Sequence, residues 1–272
     1  MKKIFAGIIL PLLILSFTSL SSCKNSASKQ QKNAEKQEVK EIQDQIGTNV
    51  YPLPTSATVI KKLTELEVGY IIGLTNPADN SKKYFDSQSR AKNLGAYGAD
   101  LSYVTLYNQA QDVITYLDVI KSLSNELNMS KVYNEDLYTQ IKQNVDNKDE
   151  LVKILTKEFN DTYAFLSDND QQPLALLVVG GAWVEGMYLT THVSEAAYQN
   201  PEFSRVLLEQ KKSFDTYLEI TKPYLNDASV ADFVKLLDPV KKIYEGLGTS
   251  LTEQNIKDIT KVIGDLREQV VK

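Results

Sequence analysis

An uncharged stretch of eleven residues near the middle of the chain, LALLVVGGAWV at positions 174–184, constrains the fold most strongly. A helix needs about 20 apolar residues to cross a bilayer, so this stretch is too short for a membrane span. It is apolar on every side, which is typical of a helix at the centre of a globular bundle. We therefore expect a helix from Pro173 to about Tyr198 that is surrounded by other helices of the chain.

The chain beyond residue 51 has a helical pattern almost throughout, and the short alternating runs that indicate strands are scarce. Predicted helices cover residues 55–75, 87–107, 109–127, 134–145, 148–166, 173–198, 201–222 and 252–272, with two shorter ones on either side of Pro239. The second and third of these are two helices or one helix with a kink. The sequence predicts an all-α fold, a bundle of roughly nine helices in a single domain over residues 51–272.

The first and last helices are predicted from apolar residues at spacings of three and four. In the first helix these positions are Val59, Leu63, Leu66, Tyr70 and Gly73. In the last helix they are Ile256, Ile259, Ile263, Leu266 and Val270. Each set lies on one face, so each helix is expected to pack against the core along that face.

The first 22 residues have the three parts of a secretory signal peptide. Lys2 and Lys3 give the positive start, an apolar centre spans Ile4 to Phe17, and small residues follow up to Ser22. The apolar centre is shorter than a membrane-spanning helix requires. The sequence therefore predicts an exported protein.

The end of this segment, LSSC at positions 20–23, resembles the lipobox of bacterial lipoproteins. The resemblance covers only residues 1–23, and it implies cleavage after Ser22 and acylation of Cys23, for example with palmitate. Lys24 is not the aspartate associated with inner-membrane retention, so the resemblance implies the outer membrane in a bacterium with two membranes. Cys23 is the one cysteine of the chain, so no thiol remains for a disulfide or a zinc site.

A polar tether is predicted over residues 23–50, because Lys24 to Gln45 lack aromatic residues and cannot bury enough apolar surface to order themselves. Removing Lys2 and Lys3 from the 30 basic residues leaves 28 against 35 acidic ones, a formal charge of −7. This charge argues against nucleic-acid binding, which needs a basic patch. Membrane contact is therefore expected through the lipid on Cys23, in the periplasm or at the cell surface.

An internal repeat is indicated by two matches that occur in the same order, with halves at residues 86–168 and 170–272. TYLDV at 115–119 matches TYLEI at 216–220. LGAYGADLSYVTLY at 94–107 aligns with VGGAWVEGMYLTTH at 179–192, so that Gly95 meets Gly180, Asp100 meets Glu185, Tyr103 meets Tyr188 and Tyr107 meets His192. Amphipathic helices also match by chance, because they draw on few residue types. The sequence favours duplication of a multi-helix unit over a solenoid of short repeats.

These aligned residues form one polar face in each copy, because spacings of three and four place them on the same side of a helix. The faces could form a pocket that binds a polar ligand, or each acid could accept a hydrogen bond inside the core. Trp183 is a core anchor or part of the pocket wall. The candidate ligand-binding residues are Asp100, Tyr103, Tyr107, Trp183, Glu185, Tyr188 and His192.

Motifs of catalysis, cofactor binding and metal binding are missing from the sequence. It has no Gly-x-Ser-x-Gly elbow, P-loop, dinucleotide fingerprint or His-Glu-x-x-His pair. Glu185 and the lone His192 would supply only two ligands of a metal site. We therefore predict no catalytic residue, metal or cofactor, and a non-catalytic role in binding a protein partner or a polar small molecule. The alternatives are a structural envelope component, or an enzyme that uses Asp100 and Glu185 for acid-base chemistry.

Overall fold

Helices dominate the part of the chain that the computed structural model describes, residues 69–192 and 195–272, without the side chains of residues 195 and 196. Within these residues there are nine α-helices and no strand. They are α1 (Ser87–Leu106), α2 (Ala110–Glu126), α3 (Glu135–Gln143), α4 (Lys148–Asp168), α5 (Gln172–Thr191), α6 (Pro201–Thr221), α7 (Ala228–Leu236), α8 (Asp238–Gly246) and α9 (Glu253–Val270). Short 3-10 helices lie at Ala78–Lys83, Glu195–Gln199 and Lys222–Tyr224. The predicted all-α fold is confirmed.

Helix boundaries follow from capping side chains and prolines. Asp86 accepts a hydrogen bond from the backbone N–H of Ser89 at 2.8 Å and begins α1. Thr252 and Asn255 form a reciprocal capping box at the start of α9. Proline occupies the first turn of α5, α6 and α8. A helix start leaves backbone N–H groups unpaired. The capping side chains accept hydrogen bonds from these groups, and proline has no N–H that needs a partner.

Two predicted helix boundaries are wrong. The first helix was expected to run through Tyr70 and Gly73, but residues 69–76 are not helical and Gly73 has a φ of 78°, in the left-handed region. The central helix was expected to reach Tyr198, but it ends at Thr191. The His192 ring places Nδ1 3.1 Å from the carbonyl oxygen of Tyr188, which the His192 N–H also contacts. Tyr198 belongs to a separate 3-10 helix, Glu195–Gln199.

Helix α5 lies at the centre and packs most extensively against α1. It is long and apolar enough to cross a membrane, but 89% of the relevant window is buried inside the domain. This burial is what the opening eleven-residue stretch predicts for a core helix. The five apolar residues predicted to face the core from α9 are all buried as well.

Helix α9 runs antiparallel to both α1 and α5, so α1 and α5 are parallel. Its Thr260 hydroxyl lies 3.4 Å from the Thr191 carbonyl at the end of α5. Near its other end, the carbonyl of Val270 accepts from Asn93 in the first half of α1 at 3.0 Å. Each of the three helices contacts the other two, so one residue from each can meet at the same level along the helices.

Two glycines allow the backbones of α1 and α5 to touch. A Cβ atom on Gly95 would lie 1.9 Å from the carbonyl oxygen of Val178, and one on Gly181 would lie 1.9 Å from that of Lys92. No side chain fits at either position, since non-bonded heavy atoms pack at about 3.5–4.0 Å. Glycine at these two positions sets the spacing of the helices that carry Asp100 and Glu185.

Other predictions fall outside the described residues. They are the signal peptide at 1–22, acylation of Cys23, the tether at 23–50 and most of the first predicted helix. The internal repeat also stays a prediction. The aligned segments at 94–107 and 179–192 do lie at matching heights in the parallel helices α1 and α5, as the contact of Gly95 with residues 178 and 182 indicates.

Candidate functional site

Two carboxyl groups meet in the centre of the described domain, one from α1 and one from α5. Asp100 and Glu185 both have 0% of their surface exposed. They are the pair that the alignment at an offset of 85 residues places together, and the parallel arrangement of α1 and α5 brings them to the same height. Two ionised carboxylates in such a place would repel strongly, so the surroundings must neutralise at least one of them.

Arg267 of α9 neutralises Glu185. Its Nε donates to Oε2 and its Nη2 donates to Oε1, both at 3.0 Å. This two-point contact matches the planar guanidinium to the planar carboxylate, which is the strongest form of ion pair in proteins. The Arg267 side chain is 13% exposed, so the pair is largely shielded from water. We refer to Asp100, Glu185 and Arg267 as the buried acid site.

Asp100 has a weaker set of partners. Its Oδ2 accepts from the backbone N–H of Asn76 at 3.2 Å, whereas its buried Oδ1 accepts no hydrogen bond. Burial and the nearby charge of Glu185 raise the pKa of Asp100 well above its usual range. A proton on Asp100 removes the repulsion and lets this carboxyl donate to Glu185. Asp100 is therefore the neutral member of the pair.

Glu185 is the ionised member. Burial raises its pKa, and the guanidinium of Arg267 opposes that rise by its charge and by its hydrogen bonds. With one proton on Asp100, the buried acid site carries one negative and one positive charge and is neutral overall. A site of this kind is a satisfied polar core, because each charge has a partner within hydrogen-bonding distance.

A hydrogen-bond network around Asn76 links this site to its surroundings. The side-chain amide of Asn76 donates to the hydroxyl of Tyr84 at 3.1 Å, and that hydroxyl donates to the carbonyl of Val271 at 3.0 Å. The Asn76 carbonyl accepts from the Tyr116 hydroxyl at 3.1 Å. The network thus connects the segment before α1 with α2 and with the end of α9.

Tyr188 and His192, which the spacing on α5 predicts on the same face as Glu185, lie beside Arg267. Their rings stack with centroids 3.9 Å apart, and the Arg267 guanidinium lies 4.4 Å from the centroid of Tyr188. Burial lowers the pKa of His192, and the positive charge of Arg267 acts in the same direction. His192 is therefore a neutral ring that packs on Tyr188 at the partly exposed edge of the site.

The other predicted site residues lie elsewhere. Tyr103 accepts a hydrogen bond from the Ile71 N–H at 3.0 Å and forms an aromatic cluster with Tyr107 and Tyr70. Trp183 packs against Phe214, with ring centroids 5.0 Å apart. The structure thus brings together Asp100, Glu185, Tyr188 and His192 but places Tyr103, Tyr107 and Trp183 in other contacts. Ligand binding by the seven residues stays a prediction.

Arg267 is the residue that reasoning from sequence missed. It lies four residues after Ile263 and three before Val270, so it belongs to the apolar stripe of α9. A basic residue on such a stripe indicates a buried acidic partner, because an unpaired charge in the core is unfavourable. Among residues 69–192 and 195–272, no group of three His, Cys, Asp or Glu side chains could hold a metal ion.

An apolar pocket lies where α1 meets α2, α3 and α4, and Val178 of α5 also lines it. The volume of this pocket is about 30 Å³. Its wall includes Leu94, Gly98, Leu101, Ile141, Glu158 and Phe159. A Cβ on Gly98 would meet no atom within 4 Å, in contrast to Gly95. We refer to this cavity as the Gly98 pocket.

A wider groove of about 390 Å³ lies on the surface between the starts of α6 and α9. Its charged groups already have partners: Arg205 pairs with Glu202 at 2.7 Å, and Gln199 donates to Glu253 at 3.0 Å. The groove is open to solvent, and polar and apolar atoms line it in similar proportions. It therefore offers a ligand less burial and fewer unpaired groups than the Gly98 pocket.

Comparisons of this chain with protein-family models, with curated proteins and with solved structures find no match.

Proposed function

We propose that this protein is a lipid-anchored component of the bacterial envelope whose helical domain has a non-catalytic binding role. The observation that carries the binding role is the Gly98 pocket, a concave apolar site with one acidic residue, Glu158, in its wall. Small-molecule sites are typically concave and mostly apolar, with a few polar groups that orient the ligand. The Gly98 pocket has this kind of lining, but its volume of about 30 Å³ lies well below the roughly 300–1,000 Å³ of typical ligand sites, so it suits only a very small ligand.

The contacts of the buried acid site favour a structural role for Asp100 and Glu185. A catalytic acid or base must come within hydrogen-bonding reach of a substrate atom. Both carboxyl groups have no exposed surface, Arg267 binds both oxygens of Glu185, and the Asn76 N–H binds one oxygen of Asp100. These contacts support a scaffold in which α1, α5 and α9 are fixed, and they do not support acid-base catalysis. A purely structural envelope component is the second candidate, and the same scaffold favours it.

Mass spectrometry of molecules that co-purify with the full chain tests the binding role. We expect a small molecule to be released from the wild-type protein and to be missing from Gly98→Leu, because the leucine side chain fills the pocket. Gly246→Leu is the matched control, since Gly246 is a helical, exposed glycine with no neighbour within 4 Å of an added Cβ. Equal release from all three proteins would contradict binding in the Gly98 pocket and favour the structural alternative.

The anchor is proposed from residues outside the described part of the chain. The lipobox-like LSSC at 20–23 supports acylation of Cys23, and the polar segment that follows supports a tether at the membrane. More than one acyl chain is needed for a stable anchor. Cells fed radiolabelled palmitate should label the wild-type protein and not Cys23→Ser. The wild-type protein is expected in the outer-membrane fraction, and label retained by the variant would refute the anchor.

A further inference from the structure

We infer that the Gly98 pocket takes a small hydrophobic amine, with its apolar group beside Gly98 and its ammonium group at Glu158. This inference rests on the proposed binding role and adds the chemical class of the ligand. It depends on three features of the pocket: its size, the glycine in its wall and the charge at Glu158.

The size of the pocket limits the enclosed part of the ligand to the end of a short, unbranched alkyl chain. At roughly 10–15 Å³ for each water, a volume of about 30 Å³ holds two or three water-sized groups, so the ammonium group would lie at the partly exposed edge, at Glu158. The aliphatic wall formed by Leu94, Leu101 and Ile141 offers water no hydrogen bond. An apolar cavity is unfavourable for ordered water and favourable for an apolar group that fills it.

Gly98 keeps this space open. Glycine in the interior of a helix is less favourable than alanine. At Gly95 this loss is explained by the contact between backbones, whereas at Gly98 nothing lies within 4 Å of an added Cβ. Close packing therefore does not require a glycine at position 98, but an open pocket does.

Glu158 supplies the charge complementarity that selects an amine. Its side chain is 14% exposed, and its ion pair with the neighbouring Lys157 is long, at 3.6 Å. Lys157 is 70% exposed and lies closer to Asp161, so it compensates Glu158 only weakly. Burial is the main cause that raises the pKa of Glu158. An ammonium group that enters the pocket would give this half-buried carboxylate a direct partner.

The other polar group in the wall does not compete for the ligand. The Tyr133 hydroxyl is paired with Thr162 Oγ1 at 2.9 Å, and Thr162 in turn donates to the Glu158 carbonyl. Among the described residues that line the pocket, Glu158 is the only charged one. A carboxylate ligand would therefore meet repulsion without a compensating base.

A methyl-labelled NMR titration of the full chain tests this inference with three probes of equal chain length: n-butylammonium, n-butanol and butanoate. We expect saturable shifts at the Ile141 and Leu101 methyl groups with n-butylammonium, weaker shifts with n-butanol and none with butanoate. Glu158→Gln should weaken the binding of n-butylammonium about tenfold, since a hydrogen bond to a charged group is stronger than one between neutral groups. The same variant should bind n-butanol as tightly as the wild type does.

Gly98→Leu should abolish the shifts from every probe, and Gly246→Leu should preserve them. If butanoate or n-butanol bound as tightly as n-butylammonium, the inference that the ligand is an amine would be overturned. The proposed binding role of the pocket would remain. No saturable shift from any of the three probes would overturn the inference together with the binding role of this pocket. Binding of n-butylammonium that survives Gly98→Leu would place it elsewhere and overturn the inference alone.

Discussion

Gly95 and Gly98 lie nearly one turn apart in α1 and have opposite surroundings. Gly95 touches the backbone of α5 beside the buried acid site, where an added Cβ would collide with the Val178 carbonyl. Gly98 faces the pocket, where an added Cβ would touch nothing. Gly95 allows α1 and α5 to pack in contact, whereas Gly98 leaves a space between α1 and its neighbours. The carboxylates of the two regions differ in the same way: Arg267 binds Glu185 at two points, whereas Glu158 has one long contact with an exposed lysine.

The largest effect is expected from removing Arg267. In Arg267→Ala, Glu185 remains buried without its cation, and breaking a buried ion pair in this way costs about 3–5 kcal/mol of the free energy of unfolding. Chemical denaturation measures the loss. Arg205→Ala is the matched control, because its pair with Glu202 is exposed and such pairs contribute about 0–1 kcal/mol. Similar losses in the two variants would mean that the buried acid site does not stabilise the fold.

A smaller loss is expected from Gly95→Ala. The methyl group would overlap a backbone carbonyl that cannot move alone, so α1 and α5 must separate. Overpacking of this kind typically costs about 1–3 kcal/mol, although alanine is the better helix former. The measurement is the free energy of unfolding, with Gly246→Ala as the exposed helical control. A Gly95→Ala variant as stable as the wild type would show that the helices are not in backbone contact.

Replacing Asp100 changes how stability depends on pH. Asp100 keeps its proton when folded, because burial and Glu185 raise its pKa, whereas the unfolded chain loses that proton above pH ~4. The unfolded state then binds fewer protons, so the contribution of Asp100 is complete below pH ~4 and falls as pH rises toward the folded pKa. In Asp100→Asn this decline is missing. The free energy of unfolding of the variant should therefore rise relative to that of the wild type, by up to about 1.4 kcal/mol for each pH unit above pH ~4.

Unfolding of both proteins between pH 4 and 8 measures that difference. Surface acids with a lowered pKa, such as Asp86 and Asp227, act in the opposite direction, but they are present in both proteins and cancel. A constant difference across this range would mean that Asp100 is ionised in the folded protein and that the proton is not on this residue.

The sequence predicts the helices well and the site in part, for physical reasons that particular residues illustrate. Asp86 and Thr252 cap helices through local contacts, so their signals lie within three residues in the sequence. Asp100 and Glu185 could be paired because the alignment relates them. Arg267 could not be assigned to Glu185 in this way, because the contact joins residues 82 positions apart and depends on how α9 packs.

The roles of the two glycines of α1 also could not be predicted from the sequence. Both lie within LGAYGAD at 94–100, and nothing local distinguishes the one that touches Val178 from the one that faces a cavity. Their difference arises only from the way α2, α3, α4 and α5 pack around α1.

The smallest effect, and the sharpest contrast with Gly95, is expected from Gly98→Ala. Alanine reduces the conformational freedom of the unfolded chain and meets no atom within 4 Å, so it should raise the free energy of unfolding by about 0.5–1 kcal/mol. Denaturation of Gly98→Ala beside Gly95→Ala measures two changes of identical chemistry in one helix, and opposite signs are the expected result. A loss at both positions would mean that the pocket closes around Gly98 in solution, and an amine could then not enter it. A higher free energy of unfolding for Gly98→Ala alone would show that glycine at position 98 lowers the stability of the domain. This is expected if glycine is present there to leave space for a ligand.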